Sequence, residues 1–104
     1  MKTTLSKVNF GEYLHQLRLQ RQLPLRTVAD KLGIDISLLS KIEHGERFVQ
    51  GHMLEKISVL FDLDFRSLQI QFLNQKLEDE FGAMPYIEEA MFQFLKTRND
   101  NTIF

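Results

Sequence analysis

The chain has no cysteine and no tryptophan among its 104 residues, and only two prolines and five glycines. Without cysteine there can be no disulfide framework and no zinc–cysteine site. No run approaches the ~18 consecutive apolar residues of a membrane-spanning helix. The first twenty residues carry Lys2, Lys7, Glu12 and Arg18 and so hold no signal-peptide apolar core. No glycine-rich loop of the phosphate-cradling kind is present. Glu12 with His15, and His52 with Glu55, each stand alone, whereas a di-iron bundle needs two Glu-x-x-His pairs. His15, His44 and His52 do not form a metal-ligand cluster either. These absences argue against an enzyme, a metal or a cofactor. They also fit a cytoplasmic protein with no membrane contact and no small-molecule ligand.

A large net charge is missing too, but the sum of −1 conceals an uneven distribution. Residues 1–56 hold nine Lys/Arg against six Asp/Glu, a net +3, and residues 57–104 hold four against eight, a net −4. A basic half joined to an acidic half suggests that only the first meets a polyanion.

What the chain does have is helical periodicity almost throughout, with no alternating strand pattern. "NFGEYLHQLRLQRQ" places Phe10, Leu14 and Leu17 on one stripe behind a cap at Asn9. "LPLRTVADKLG" puts Pro24 at the start of a helix, repeats Leu25, Val28, Ala29 and Leu32, and stops at Gly33. "DISLLSKIEHG" restarts at once behind Asp35, turns Leu39 and Ile42 inward and stops at Gly45. After the irregular "ERFVQG", "HMLEKISVLF" supplies a fourth helix. "DLDFRSLQIQFLNQKLEDEF" supplies a long fifth, capped by Asp64, and "GAMPY" breaks the pattern before "YIEEAMFQFLKTR". The remaining "NDNTIF" reads as a frayed tail. The class is all-α, with six helices.

The short glycine turn at Gly33 predicts a helix-turn-helix. Ala29 is small where the second helix crosses, Gly33 takes a backbone conformation that side chains resist, and Ile34 plugs the turn. Leu39 and Ile42 anchor the second helix, while Ile36, Ser37, Ser40, Lys41 and His44 share its other face.

"LRTVADKLGIDISLLSKIEHGER", with its flanking helices, resembles the helix-turn-helix of the phage-repressor (XRE-like) transcription regulators over roughly residues 9 to 70. Ala29, Gly33, Ile34, Leu39, Ser40, Ile42, Glu43 and Gly45 all fall at that family's spacing. The resemblance implies a five-helix phage-repressor-like DNA-binding domain with an extra C-terminal helix. Residues 1–8 would be a lead-in and 9–81 the domain, with its helix-turn-helix at about 25–44 and an extended fifth helix. Residues 82–104 would be a dimerisation helix and tail.

By the same resemblance, Ile36, Ser37, Ser40 and Lys41 face base edges of double-stranded DNA. Backbone N–H groups around Leu25 and Arg26, together with His44 and Arg47, meet phosphates, and Glu43 is a structural acid. One departure is that Pro24–Leu25 stands where the family has a Thr/Ser–Gln pair, so a phosphate-bracing contact is missing. Arg26, Arg18 or Arg21 is a candidate to replace it.

The aromatic-rich C-terminal part carries more apolar surface than five short helices can cover, which marks an interface. Phe72, Phe81, Tyr86, Ile87, Met91, Phe94 and Leu95 are its candidate residues, and a homodimer suits a palindromic operator. The expectation is a transcriptional regulator that represses by occlusion, as a stand-alone or phage-type repressor or as the controller of a restriction–modification cassette. An antitoxin whose C-terminal helices bind a toxin, or a helical protein-interaction module without DNA binding, is the alternative.

Overall fold

The computed structural model describes residues 9–101. Six helices follow one another: α1 (Phe10–Gln20), α2 (Leu25–Leu32), α3 (Ile36–Glu43), α4 (Leu54–Phe61), α5 (Phe65–Phe81) and α6 (Ile87–Asn101). A single 3-10 turn at Gly51–Met53 leads into α4, and no strand occurs among the described residues. No helix there is long and apolar enough to cross a membrane. Asn99, Asp100 and Asn101, read from the sequence as the start of a tail, continue α6. Residues 1–8 and 102–104 of the expected lead-in and tail lie outside the described residues.

The first four helices end the same way. A residue with positive φ follows each helix, and the next N–H reaches back five residues to a carbonyl of the last turn. Leu23 N–H bonds Arg18 O at 3.1 Å, Ile34 bonds Ala29 at 3.0 Å, Glu46 bonds Lys41 at 2.8 Å and Leu63 bonds Ser58 at 2.8 Å. The left-handed residues are Gln22, Gly33, Gly45 and Asp62. Gly33 (φ +73°) and Gly45 (φ +80°) take this conformation without a Cβ penalty and bracket α3. At the other ends, Asn9 accepts the Glu12 N–H at 2.6 Å and Asp64 accepts that of Ser67 at 2.9 Å. Asp35 sits at the N-cap of α3 with extended backbone, but its side chain makes no capping hydrogen bond.

The core lies between α1, α2, α3 and α4, with the first half of α5 closing one side. Leu14, Val28, Ala29, Leu39, Ile42, Leu54, Ile57 and Phe61 are buried almost completely. Each of the larger side chains contributes ~1.5–3 kcal/mol by leaving water. Val49 and Met53, from the irregular segment and the 3-10 turn, join the same cluster. The α1–α3 crossing is closest at Gly11, where a Cβ would lie 1.9 Å from the carbonyl oxygen of Ile42.

α5 carries two apolar stripes on opposite sides. Leu68 and Phe72, one turn apart, point into the core, whereas Ile70, Leu73 and Phe81 are exposed on the far side. Phe72 therefore does not belong to an interface: it is 8% exposed and packs edge-on against Phe10, with centroids 5.8 Å apart. Its assignment to the dimer surface is corrected, because this face of α5 meets α1 and α4. α6 forms no close helix pair of the kind seen between α1 and α3, α2 and α3, or α4 and α5. The radius of gyration, 16.1 Å, exceeds the ~13 Å of a compact chain of this length.

Candidate nucleic-acid interface

α3 is held from behind. Leu39 and Ile42 anchor one face in the core, and Glu43 closes the helix with its side chain only 3% exposed. A buried carboxylate needs partners, since its desolvation is otherwise uncompensated. Arg18 provides a fork: Nε donates to Oε2 at 2.8 Å and Nη2 to Oε1 at 3.0 Å. His15 donates from Nδ1 to Oε1 at 2.6 Å. Arg18 Nη1 also donates to the Leu23 carbonyl at 3.0 Å, so one guanidinium ties α1, α3 and the α1–α2 turn together. Burial raises the Glu43 carboxyl, but the hydrogen bonds and charges of Arg18 and His15 outweigh it and hold it below the usual carboxylate range. The sequence pattern marked Glu43 as structural, and its geometry is that of a scaffold group.

The outer face of α3 is what this scaffold presents. Ile36, Ser37 and Lys41 are exposed, and Ser40 is half-buried between them and the core. His44, just past the helix, is exposed, and its Nδ1 donates to the Ser40 carbonyl at 2.7 Å, which leaves Nε2 turned outward. Arg26 and Arg47 are exposed, Arg26 in the first turn of α2 and Arg47 in the loop after Gly45. Arg47 also lines an open groove of about 500 Å³ with Phe48, Glu78 and Asp79. Leu25 is half-buried, and Pro24 supplies no side-chain cap, so the first N–H groups of α2 keep their hydrogen-bonding capacity.

Two expectations are corrected. Arg18 does not replace the missing phosphate brace, because all its donor nitrogens face protein acceptors. Arg21 does not either: its Nη2 donates to the Phe61 carbonyl at 2.6 Å and its guanidinium lies 5.8 Å from the Phe61 ring centroid. Of the three candidates, Arg26 alone is exposed and makes no hydrogen bond or ion pair within the described residues.

The other expected interface lies away from α3. Phe81, Tyr86, Phe94 and Leu95 are exposed, and Ile87 and Met91 are half-buried. Ile70 and Leu73 extend this apolar surface along α5 and were absent from the sequence-based set. Phe48, 51% exposed, with the Lys76 ammonium 5.2 Å from its ring, is a further surface aromatic. No group of three or more His, Asp or Glu placed to hold a metal ion occurs among the described residues.

The model of the helix-turn-helix domain family matches residues 9–67. No curated protein and no solved structure was found to match the chain.

Proposed function

The chain belongs to the helix-turn-helix domain family, and from that premise we propose that it is a sequence-specific transcriptional repressor of the phage-repressor (XRE-like) type. α3 enters the major groove of double-stranded DNA. Lys41 donates to guanine O6 or N7, Ser37 and Ser40 bond base edges, and Ile36 meets a thymine methyl. The N–H groups at Leu25 and Arg26, together with Arg47, hold the flanking phosphates, and His44 adds a donor from Nε2 in its imidazolium form, since Nδ1–H is given to the Ser40 carbonyl. Two such chains, related by a two-fold axis, set their α3 helices about one DNA turn (~34 Å) apart on a palindromic operator and occlude it.

One observation carries this reading. α3 spends Leu39, Ile42 and Glu43 on being fixed to the scaffold, while Ile36, Ser37 and Lys41 stand outward with no structural use.

The test is a fluorescence-anisotropy titration of labelled random duplex at increasing salt. A dimer neutralising ~6–8 phosphates gives a log–log slope near −5 to −7. A slope near zero would refute DNA binding.

A further inference from the structure

We propose that a second copy of this chain covers the outer stripe of α5 and the apolar face of α6, with the two α6 helices packed antiparallel across the two-fold axis. The proposal rests on the homodimer reading above and gives that dimer its interface.

The first observation is the pair of opposed stripes on α5. A helix that packs only against its own domain needs one apolar face. α5 uses Leu68 and Phe72 for that purpose, yet it repeats Ile70, Leu73, Leu77 and Phe81 at three- and four-residue steps on the opposite side. That side stays open in the described fold: Ile70, Leu73 and Phe81 are 41–48% exposed, and α6 makes no close helix pair with α5. The stripe runs on through the turn at Tyr86 to Phe94 and Leu95. Large side chains of this kind bury ~150–250 Å² each when fully covered. Scaled by the fractions exposed, the patch offers roughly 500–800 Å² per protomer, which approaches the ~800 Å² per partner of a standard stable interface.

The second observation is charge. Residues 78–89, around the α5–α6 turn, contain Glu78, Asp79, Glu80, Glu88 and Glu89 and no Lys or Arg. The far end of α6 contains Lys96 and Arg98 against a single acid, Asp100, a net +1. A parallel pairing would stack acid on acid at one end and base on base at the other. An antiparallel pairing lays the basic end of each α6 on the acidic corner of its partner, and the helix dipoles then also oppose. Ile87, Met91, Phe94 and Arg98 follow at four-, three- and four-residue steps and so share one face, with Glu88 at its border. The Arg98 guanidinium lies 5.2 Å from the Phe94 ring centroid, which sets its charge at the end of the apolar face. Pairing Glu88 with Arg98 of the second copy brings Met91 opposite Phe94 and Leu95 of that copy. By symmetry each contact occurs twice.

Sedimentation equilibrium of the full chain without DNA tests this. The wild type should be dimeric at tens of micromolar. E88R and R98E, each creating two like-charge pairs per dimer, should weaken association about tenfold, and the E88R/R98E double variant should restore it to within about threefold of wild type. L73E, at a position exposed in the single chain, should yield a monomer of unchanged helix content by circular dichroism. A monomeric wild type overturns the proposal and passes the surface to a different protein. Equal association of wild type, both single variants and the double variant overturns the antiparallel arrangement, as does a double variant that is not rescued. The DNA reading fails separately: L73E keeps α3 intact and should still bind random duplex with a salt-dependent, weaker affinity. A dimeric wild type that ignores duplex would refute the regulator and leave this interface standing.

Discussion

Replacing Arg18 by methionine removes the cation and keeps most of the packing, leaving the Glu43 carboxylate buried with His15 as its remaining side-chain partner. Breaking a buried ion pair from one side costs about 3–5 kcal/mol, mostly because the other charge is stranded. The site is not sealed: His15 is 36% exposed on its side chain, and water can approach along that flank. The cost should therefore fall at the lower end, about 3 kcal/mol, which in a domain of this size lowers Tm by roughly 12–24 °C. Glu43→Gln keeps the shape and one acceptor but drops the charge. It should cost about 2 kcal/mol, since Arg18 is closer to solvent than Glu43. In the double variant neither charge is stranded, so the double-mutant cycle should show a coupling of about 1.5–3 kcal/mol.

The pH dependence supplies a second check on the same pair. The folded carboxyl of Glu43 lies below its ordinary value of 4.5, so the unfolded chain binds its proton first as pH falls. Its contribution is fully present above about pH 4.5 and is lost as pH drops through the folded value. Urea unfolding followed by circular dichroism should show the deficit of Glu43→Gln against wild type shrinking below pH 4.5. Asp64 also lies below its usual value, through its hydrogen bonds with the Ser67 N–H and hydroxyl, but it titrates in both proteins and cancels in the difference. A loss under 1 kcal/mol for Arg18→Met, a coupling near zero, or a pH-independent deficit would each refute the scaffold role assigned here.

Other substitutions separate packing from recognition. Gly11→Ala should cost about 2–4 kcal/mol in the same urea series, because its Cβ overlaps the Ile42 carbonyl and must push α1 off α3; a change within 0.5 kcal/mol would show that the crossing is looser than described. Leu39→Ala should cost ~2–5 kcal/mol through a core cavity and lose DNA affinity only with the fold. Lys41→Ala should leave Tm nearly unchanged while costing ~1–3 kcal/mol on the operator, read as a lower ratio of operator to random-duplex affinity; an unchanged ratio removes Lys41 from base reading. Arg47→Ala should weaken all sequences alike and reduce the salt slope by about one.

The helices were legible because their signals are local. Gly33 and Gly45 punctuate a three-to-four-residue apolar period, and Asn9 and Asp64 are caps that need no knowledge of the rest of the chain. What escaped depends on contacts between distant residues. Arg18 and Arg21 read as free cations on α1, and nothing in their own neighbourhood says that their partners, Glu43 and the Phe61 carbonyl, lie 25 and 40 residues away. The identity of Glu43 as a scaffold acid came with the family pattern, but its dependence on Arg18 and His15 did not. Gly11 escaped because close approach between helices leaves no periodic trace. α5 misled in a specific way: Phe72 and Leu73 are neighbours in sequence, yet the ~100° turn between them buries one and exposes the other, so an apolar period without a polar face cannot say which stripe is core.

The internal use of Arg18 and Arg21 also limits the electrostatics of DNA binding. Of the nine cations in the basic half, these two are engaged by the fold, and Lys2 and Lys7 fall outside the described residues. Arg26, Lys31, Lys41, Arg47 and Lys56 remain, all exposed. If every one of them met a phosphate or displaced a counterion, a dimer would release about ten ions, and the salt slope could not exceed about −9 in magnitude. The slope of −5 to −7 assigned to the dimer uses three or four of the five per protomer, which leaves one or two of them in solvent. A measured slope steeper than −9 would require further cations on the DNA, and Lys2 and Lys7 are the ones left in the basic half. Lys2→Ala and Lys7→Ala should then each reduce it by about one, whereas at a slope of −5 to −7 both should leave it unchanged.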